Sequence, residues 1–313
     1  MKMRYCFGVD VGGTTVKLGF FDEEGNLLEK WEIPTRTEDH GKNILPDVAA
    51  SILDKMKERE VSREEIAGVG IGAPGPIDAK GTVYVAVNLG WGTFSLKNEL
   101  QSLLNLPVEA GNDANVAALG EMWKGGGQGY SNVVAVTLGT GVGGGIIVDG
   151  KILSGATGAG GEIGHIHVMD DETEACNCGN CGCLEQYTSA TGIVRLAKRR
   201  LAEDDKPSVL RESGNISAKT VFDAVKDGDE LAIEVAERFG KILGKTLAGI
   251  AAVVNPEIFV IGGGVSKAGP VLLDYIQKNY TLYAFSGSRG ALFALATLEN
   301  DAGIYGAAKL VLD

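Results

Sequence analysis

The chain is 313 residues long and 46 of them are glycine, about 15% and roughly double the usual share. Hydrophobic residues make up 44% and charged residues 22%, the values of a folded protein, so disorder and a collagen-like repeat are excluded. Its 29 basic residues are outnumbered by 41 acidic ones, and the resulting net charge of −12 argues against nucleic acid and anionic membranes as partners.

The pattern opens as a meander. Residues 4–11 are apolar and β-rich, Gly12-Gly13-Thr14 turns the chain into a strand over 15–21, and a turn at 23–26 leads to a third strand over 27–33. Ile44, Val48, Ile52 and Met56 recur every four residues and predict a helix. A buried strand at 66–71 ends in the loop Gly72-Ala73-Pro74-Gly75-Pro76. Residues 107–110 form a short strand that runs into Asn112-Asp113 and a helix reaching Trp123, stopped by Gly125, Gly126 and Gly127.

A second unit of the same plan follows: a strand at 133–138, a glycine-rich turn, a strand at 145–148, an Asp149-Gly150 turn and a strand at 151–153. It repeats the architecture of the first meander without its sequence. Helical periodicity then covers 184–201, 218–226 and 231–254, the last ending at Asn255-Pro256. A strand at 257–261, a tight loop at Gly262-Gly263-Gly264 and a helix at 304–312 complete the chain. This order predicts two α/β domains, 1–115 and 116–302, with the terminal helix at about 303–313 packing back on the first. The N-terminus is too short and interrupted for a signal peptide, and the longest apolar run, 247–254, falls far short of the roughly 20 residues of a membrane span. A cytoplasmic protein with reduced cysteines is therefore expected.

Three glycine loops follow strands: Asp10-Val11-Gly12-Gly13-Thr14-Thr15, Leu138-Gly139-Thr140-Gly141-Val142-Gly143-Gly144-Gly145, and Gly262-Gly263-Gly264. Glycine lets backbone N–H groups approach an anion and adopt the positive φ that turns several of them to one point. Any one of these is most simply a turn, but three of them after strands favour a nucleotide held between domains. Gly139-x-Gly141-x-x-Gly144 also matches the dinucleotide fingerprint, which requires a helix directly afterwards. Here the glycines lead into Ile146-Ile147-Val148 and a hairpin turn, so that reading is rejected.

Four of the five cysteines, Cys176, Cys178, Cys181 and Cys183, fall within residues 176–183, with His165 and His167 upstream. Such density in a reducing compartment points to a structural zinc site, with a redox pair as the alternative. Cys6, alone in the first strand, reads as simply buried. Asp113 precedes a helix, where an N-cap is the ordinary role. Glu162 and Glu185 flank the cysteine cluster, and carboxylates with an Asn and a His beside a nucleotide site make a pocket for hydroxyl groups.

Taken together, Glu162-x-Gly164-His165 and Cys176-x-Cys178-Gly179-x-x-Gly182-Cys183-x-Glu185 resemble the signature of the ROK family (repressors, open reading frames and sugar kinases). In family order, Asp10-x-Gly12-Gly13-Thr14, Gly72-Ala73-Pro74-Gly75, Gly111-Asn112-Asp113-Ala114-Asn115, Leu138-Gly139-Thr140-Gly141-Val142-Gly143 and Asp301-Ala302-Gly303-Ile304-Tyr305-Gly306-Ala307-Ala308 fit as well. The resemblance covers essentially the whole chain. Asn88-Leu89-Gly90-Trp91 and Ala190-Thr191-Gly192-Ile193-Val194 make it most similar to the bacterial glucokinases of that family.

The resemblance implies the actin-like ATPase (ribonuclease H-like) fold, two α/β domains around a central cleft, and ATP-dependent phosphorylation of the 6-hydroxyl of glucose. Asp113 would be the general base, with Asn112, Glu162, His165 and Glu185 on the other hydroxyls. Asp10, Gly12, Gly13, Thr14 and Thr15 would serve ATP together with Gly139, Thr140, Gly141 and Gly143. Gly262, Gly263 and Gly264 would pass the adenosine, and Asp10 would orient the Mg²⁺ shell. A structural Zn²⁺ would rest on His165, Cys176, Cys178 and Cys183, with Cys181 or His167 as substitutes for His165. Family resemblance also implies a homodimer. Two alternatives remain, a kinase for another hexose (fructose, mannose or N-acetylmannosamine) and a sugar-sensing repressor. The repressors carry an added helix-turn-helix, for which the nine residues before Asp10 leave no room. On this reading the glycine excess marks backbone placed against phosphate, sugar and metal.

Overall fold

The first two strands are mostly apolar and buried on both faces, the third alternates between half-buried and exposed residues, and turns at glycine and asparagine fold them back on one another. A computed structural model describes residues 4–312. In it β1 (Tyr5–Val11), β2 (Thr15–Asp22) and β3 (Leu27–Pro34) form the expected meander, with Val9 opposite Leu18 and Leu18 opposite Trp31. Next come α1 (Ile44–Glu58), β4 (Ile66–Ala73), the hairpin β5 (Thr82–Val83) and β6 (Phe94–Ser95), α2 (Leu96–Leu104), β7 (Val108–Asn112) and α3 (Asp113–Lys124). The strand order is β3-β2-β1-β4-β7, with β4 and β7 added in parallel to β1.

The same order then recurs. Strands β8 (Val133–Leu138), β9 (Val142–Val148) and β10 (Lys151–Ile152) make a second meander. After α4 (Glu185–Thr188), α5 (Ala190–Leu201), α6 (Val209–Glu212), α7 (Ala218–Lys226) and α8 (Glu230–Val254) come β11 (Ile258–Gly262), α9 (Pro270–Tyr283), β12 (Leu292–Leu295) and α10 (Ala302–Lys309). The second strand order is β10-β9-β8-β11-β12, with β11 parallel to both β8 and β12. The architectural repeat read from the sequence is thus present strand for strand.

The chain divides into two units, one holding the residues up to Gly129, Gly145–Gly161 and those from Leu298 on, the other Tyr130–Gly144 and Glu162–Thr297. The division differs from the boundary expected at 115, which would cut α3 near its start. Helix α3 stays with the first unit because it packs on α10: a Cβ on Gly120 would lie 2.2 Å from the Ala302 carbonyl oxygen, and one on Gly306 1.7 Å from that of Val116. Backbones at such range leave no room for side chains, so the two helices cannot be parted into separate domains without loss of a continuous contact.

In the first unit Phe7, Val9, Val69 and Ile71 point from β1 and β4 into a core completed by Val48, Ile52 and Leu100 from α1 and α2. On the other face stand Gly8 and Gly70, where a Cβ would come within 2.0 Å and 1.7 Å of the Ile304 and Ala307 carbonyl oxygens of α10. Part of the glycine excess is therefore packing rather than site, which amends the reading made from composition. In the second unit α8 buries Leu231, Val235, Phe239, Leu243 and Leu247 at helical spacing, and α9 lies against it over Gly240 and Gly244. Among the described residues no helix is long and apolar enough to cross a membrane.

Two further differences bear on the site. The helix expected over 184–201 is broken at Ser189, whose backbone is extended (φ −73°, ψ 171°) and whose Oγ caps α5 by accepting from the Gly192 amide at 3.0 Å. Helix α9 and strand β12 had no counterpart in the sequence reading, and α9 starts on Pro270 directly after Gly269 at φ 85°.

Candidate functional site

In the first unit β1 and β7 both deliver a carboxylate at their C-terminal ends. Asp10 is the penultimate residue of β1, and the loop beyond it closes when the Gly12 amide donates to the Thr15 carbonyl at 3.0 Å. Thr35 steadies that loop from β3's end, its Oγ1 donating to the Gly12 oxygen at 2.7 Å and its amide to the Thr14 oxygen at 2.9 Å. Burial pushes the Asp10 carboxyl up to about 6, the nearby charge of Asp113 adds to this, and Lys17 opposes it. Gly303, in the first turn of α10, stands against it: a Cβ there would lie 2.5 Å from Asp10 Cγ.

Asn112 and Asp113 sit at the β7–α3 junction. Asn112, not Asp113, is the N-cap: its Oδ1 accepts from the Asn115 amide at 3.1 Å and its Nδ2 donates to the Gly75 carbonyl at 3.1 Å. Asp113 is the first helical residue, and its Oδ1 accepts from the Ala114 amide at 2.8 Å and from Asn112 Nδ2 at 2.9 Å. Burial holds its carboxyl above the usual carboxylate range, and those two donors only partly offset the cost. Asn115 Nδ2 donates to the Gly160 oxygen at 3.1 Å, tying the approach to residue 162 to the first turn of α3.

In the second unit His165, Cys176, Cys178 and Cys183 bring one ligand atom each to within 4.8 Å of one another, a donor set that suits a single tetrahedral ion. Cys178 and Cys183 have their sulfurs 3.6 Å apart, and Cys176 Sγ is 3.9 Å from His165 Nδ1. The other ring nitrogen, His165 Nε2, faces Glu162 Oε2 at 3.9 Å. The two residues held as substitutes stand outside the cluster. His167 uses both nitrogens elsewhere, Nε2 on Asp170 at 2.9 Å and Nδ1 on the Cys181 carbonyl at 3.0 Å. Cys181 lies apart from the set, and Cys6 is fully buried with its thiol pushed up to about 12 by burial and then by Asp22.

The loop that carries these cysteines is anchored by Glu172, which sequence reasoning did not single out. Its side chain is only 2% exposed and accepts from the Tyr187 hydroxyl and from the two terminal guanidinium nitrogens of Arg199 at 3.1 and 3.2 Å. Burial opposes its ionisation, but the Arg199 and Tyr187 hydrogen bonds outweigh it and hold the carboxyl down at about 2. A buried carboxylate with its partners far along the chain leaves no pattern in sequence.

Glu185 opens α4 and joins the thiol cluster to the glycine loop after β8. Cys176 Sγ donates to its Oε1 at 2.9 Å, and the Val142 amide approaches its Oε2 at 3.4 Å. A polar cavity of about 210 Å³ lies alongside, lined by Thr140, Cys176, Glu185, Ser189, Thr191 and Arg195 among others. Within this unit the loop after β11 meets the end of β8, since a Cβ on Gly263 would be 2.5 Å from the Leu138 carbonyl oxygen. Of the glycines in the three loops Gly263 alone has a left-handed φ, 84°. Gly12 and Gly141 matter instead for the side chain they lack, a Cβ falling 2.8 Å from the Thr15 carbonyl oxygen and 2.6 Å from Glu185 Oε2, which corrects the conformational part of the loop argument.

Residues 6–313 match the model of the ROK family. The chain is 45% identical to a glucokinase of Halalkalibacterium halodurans, covering 99% of this chain and 96% of that protein. It is 38% identical to a glucokinase of Thermotoga maritima over 99% and 98% of the respective chains. Among solved structures it is similar to a ROK family glucokinase from Streptomyces griseus in complex with glucose and AMPPNP, with 36% identity, 98% of both chains covered and a TM-score of 0.74.

Proposed function

This chain belongs to the ROK family, with the actin-like ATPase fold of that family, and we propose that within it the protein is an ATP-dependent glucokinase that phosphorylates the 6-hydroxyl of glucose. The observation that carries this reading is similarity to glucokinases over the full length of the chain. The site residues support it one by one. Phosphoryl transfer is mostly positioning and charge neutralisation, with a base to receive the hydroxyl proton. Asp113 is the only carboxylate on the first turn of α3, braced by Asn112, and it takes the proton of the 6-hydroxyl. The fixed Asn112 amide keeps one Asp113 oxygen occupied and leaves the other for substrate.

Asn112, Glu162, His165 and Glu185 hold the remaining hydroxyls. The loops at Gly12-Gly13-Thr14-Thr15 and Gly139-Thr140-Gly141-Val142-Gly143 present backbone amides to the phosphates of ATP, and Gly262-Gly263-Gly264 borders the adenosine. Mg²⁺, when bound, neutralises charge on the phosphates, and Asp10 orients its shell; a carboxylate already strained by burial and by Asp113 gains from a cation nearby. Zinc fits the three thiols and one imidazole in a closed structural site. His165, with Nδ1 toward Cys176 and Nε2 toward Glu162, then connects that site to the sugar. The protein works as a homodimer in the cytoplasm, where thiols stay reduced. NMR of the product after incubation with ATP and glucose tests the assignment: glucose 6-phosphate is expected, and a phosphate on another carbon or none would refute it.

A further inference from the structure

The glycine loop after β8 and the start of α5 are fastened to each other at successive positions. The Ala190 amide donates to the Gly139 carbonyl at 2.8 Å, and Thr191 Oγ1 donates to the Thr140 carbonyl at 2.9 Å. Next along the loop, Gly141 stands where a Cβ would be 2.6 Å from Glu185 Oε2, and the Val142 amide approaches the same oxygen at 3.4 Å. Ser189 completes the joint, its Oγ donating to the Glu185 carbonyl at 2.6 Å and lying 2.9 Å from Thr191 Oγ1. The break between α4 and α5 therefore has a purpose. An unbroken helix would carry Thr191 and the Ala190 amide past the loop, and its hydrogen bonds would be spent within the helix.

Resting on the kinase reading above, we propose that Thr191 and Gly141 are positioning residues that fix the nucleotide-side loop and the sugar-side carboxylate Glu185 as one body. Nucleotide and sugar binding are thereby coupled. A ligand that draws the loop amides toward phosphate carries Glu185 with it, since Gly141 leaves no slack between backbone and carboxylate. By linkage the sugar, in holding Glu185, places the loop for the nucleotide to the same degree. Thr191→Val keeps the shape of the side chain and removes the donor to Thr140, and Thr191→Ser returns it. Gly141→Ala pushes the flexible end of Glu185 away from its seat.

Titration calorimetry of glucose into the full-length protein, with and without saturating AMPPNP, tests this. Wild type is expected to bind glucose at least about 5-fold more tightly with AMPPNP present. Thr191→Val brings that ratio close to one, Thr191→Ser restores it, and Gly141→Ala weakens glucose binding even without nucleotide by about 10-fold. A purely structural role for Thr191 would lower the melting temperature and leave the ratio alone. The proposal is overturned if the ratio is unchanged in Thr191→Val, or if Gly141→Ala alters AMPPNP affinity only. Should Thr191→Val not fold, the Gly141→Ala arm decides. Wild type that binds no glucose in either condition refutes the kinase reading, whereas wild type that binds glucose with a ratio of one refutes the coupling alone.

Discussion

The Asn112 amide donates to Asp113 Oδ1 at 2.9 Å while its own carbonyl oxygen caps α3 on the Asn115 amide at 3.1 Å. One residue thus does the capping and the bracing, which leaves Asp113 free of the cap for the base role proposed above. Asp113→Ala is expected to lower kcat by roughly 10²–10⁴. Glucose affinity, measured by titration calorimetry, should stay within a few-fold of wild type. A variant with near-normal turnover would show that another group receives the proton.

Asp10 supplies a prediction in pH. Its folded-state value of about 6 lies above the ordinary 3.8, so the protonated form is the one that burial favours. The corresponding stability is full below about pH 4 and is lost as pH rises through 6. Without divalent metal at pH 8, Asp10→Asn should therefore be more stable than wild type, by on the order of 2–3 kcal/mol. At pH 4 the two should melt together. A difference that is equal at both pH values would mean that the carboxyl is not strained.

The acid side of the activity profile follows from the same burial. Asp113 needs its proton off to act as a base, and burial raises the pH at which that happens. The value of kcat/KM should fall on the acid side at a pH above the usual carboxylate range of about 4. A limb at or below that value would argue that the site is wetter than its burial indicates.

Elemental analysis of the purified protein should find about one zinc per chain. Cys178→Ser and Cys183→Ser should lose it and melt at lower temperature. Cys181→Ser should keep both metal and stability, because Cys181 stands outside the four-ligand set and offers His167 only its carbonyl. Retention of metal by Cys178→Ser with loss in Cys181→Ser would reverse the assignment.

Two glycine substitutions should move stability in opposite directions. Gly70→Ala sets a Cβ 1.7 Å from the Ala307 oxygen, so α10 must lift from the sheet, at a cost of about 3 kcal/mol or more. Gly249→Ala lies on an exposed turn of α8 with nothing within 4 Å, and should stabilise by about 0.5–1 kcal/mol. Urea unfolding of each variant against wild type reads both values.

Much of this was visible in residue order. Apolar strands and glycine turns disclosed the twin meanders, the density of cysteines at 176–183 below two histidines pointed to a metal site, and the family resemblance singled out the four residues that the structure brings together. What escaped depended on partners distant in sequence. Asp113 looked like a cap because a carboxylate before a helix generally is one, and only the geometry gives that role to its neighbour Asn112. Residues 184–201 carry unbroken helical periodicity, yet Ser189 leaves the helix to dock Thr191 on the loop at Thr140. The glycines of β1 and β4 looked the same as those of the loops, although Gly8 and Gly70 serve a helix from the far end of the chain. Glu172 is an ordinary glutamate until Tyr187 and Arg199 close over it.

Across a panel of glucose, fructose, mannose and N-acetylmannosamine, ADP release coupled to a spectrophotometric readout bears most directly on the assigned activity. With ATP and Mg²⁺, glucose is predicted to give the highest kcat/KM, and Asp113→Ala to lower kcat on every sugar by roughly 10²–10⁴. Preference for another hexose would contradict the glucokinase assignment, and absence of ADP release with all four would contradict the kinase itself.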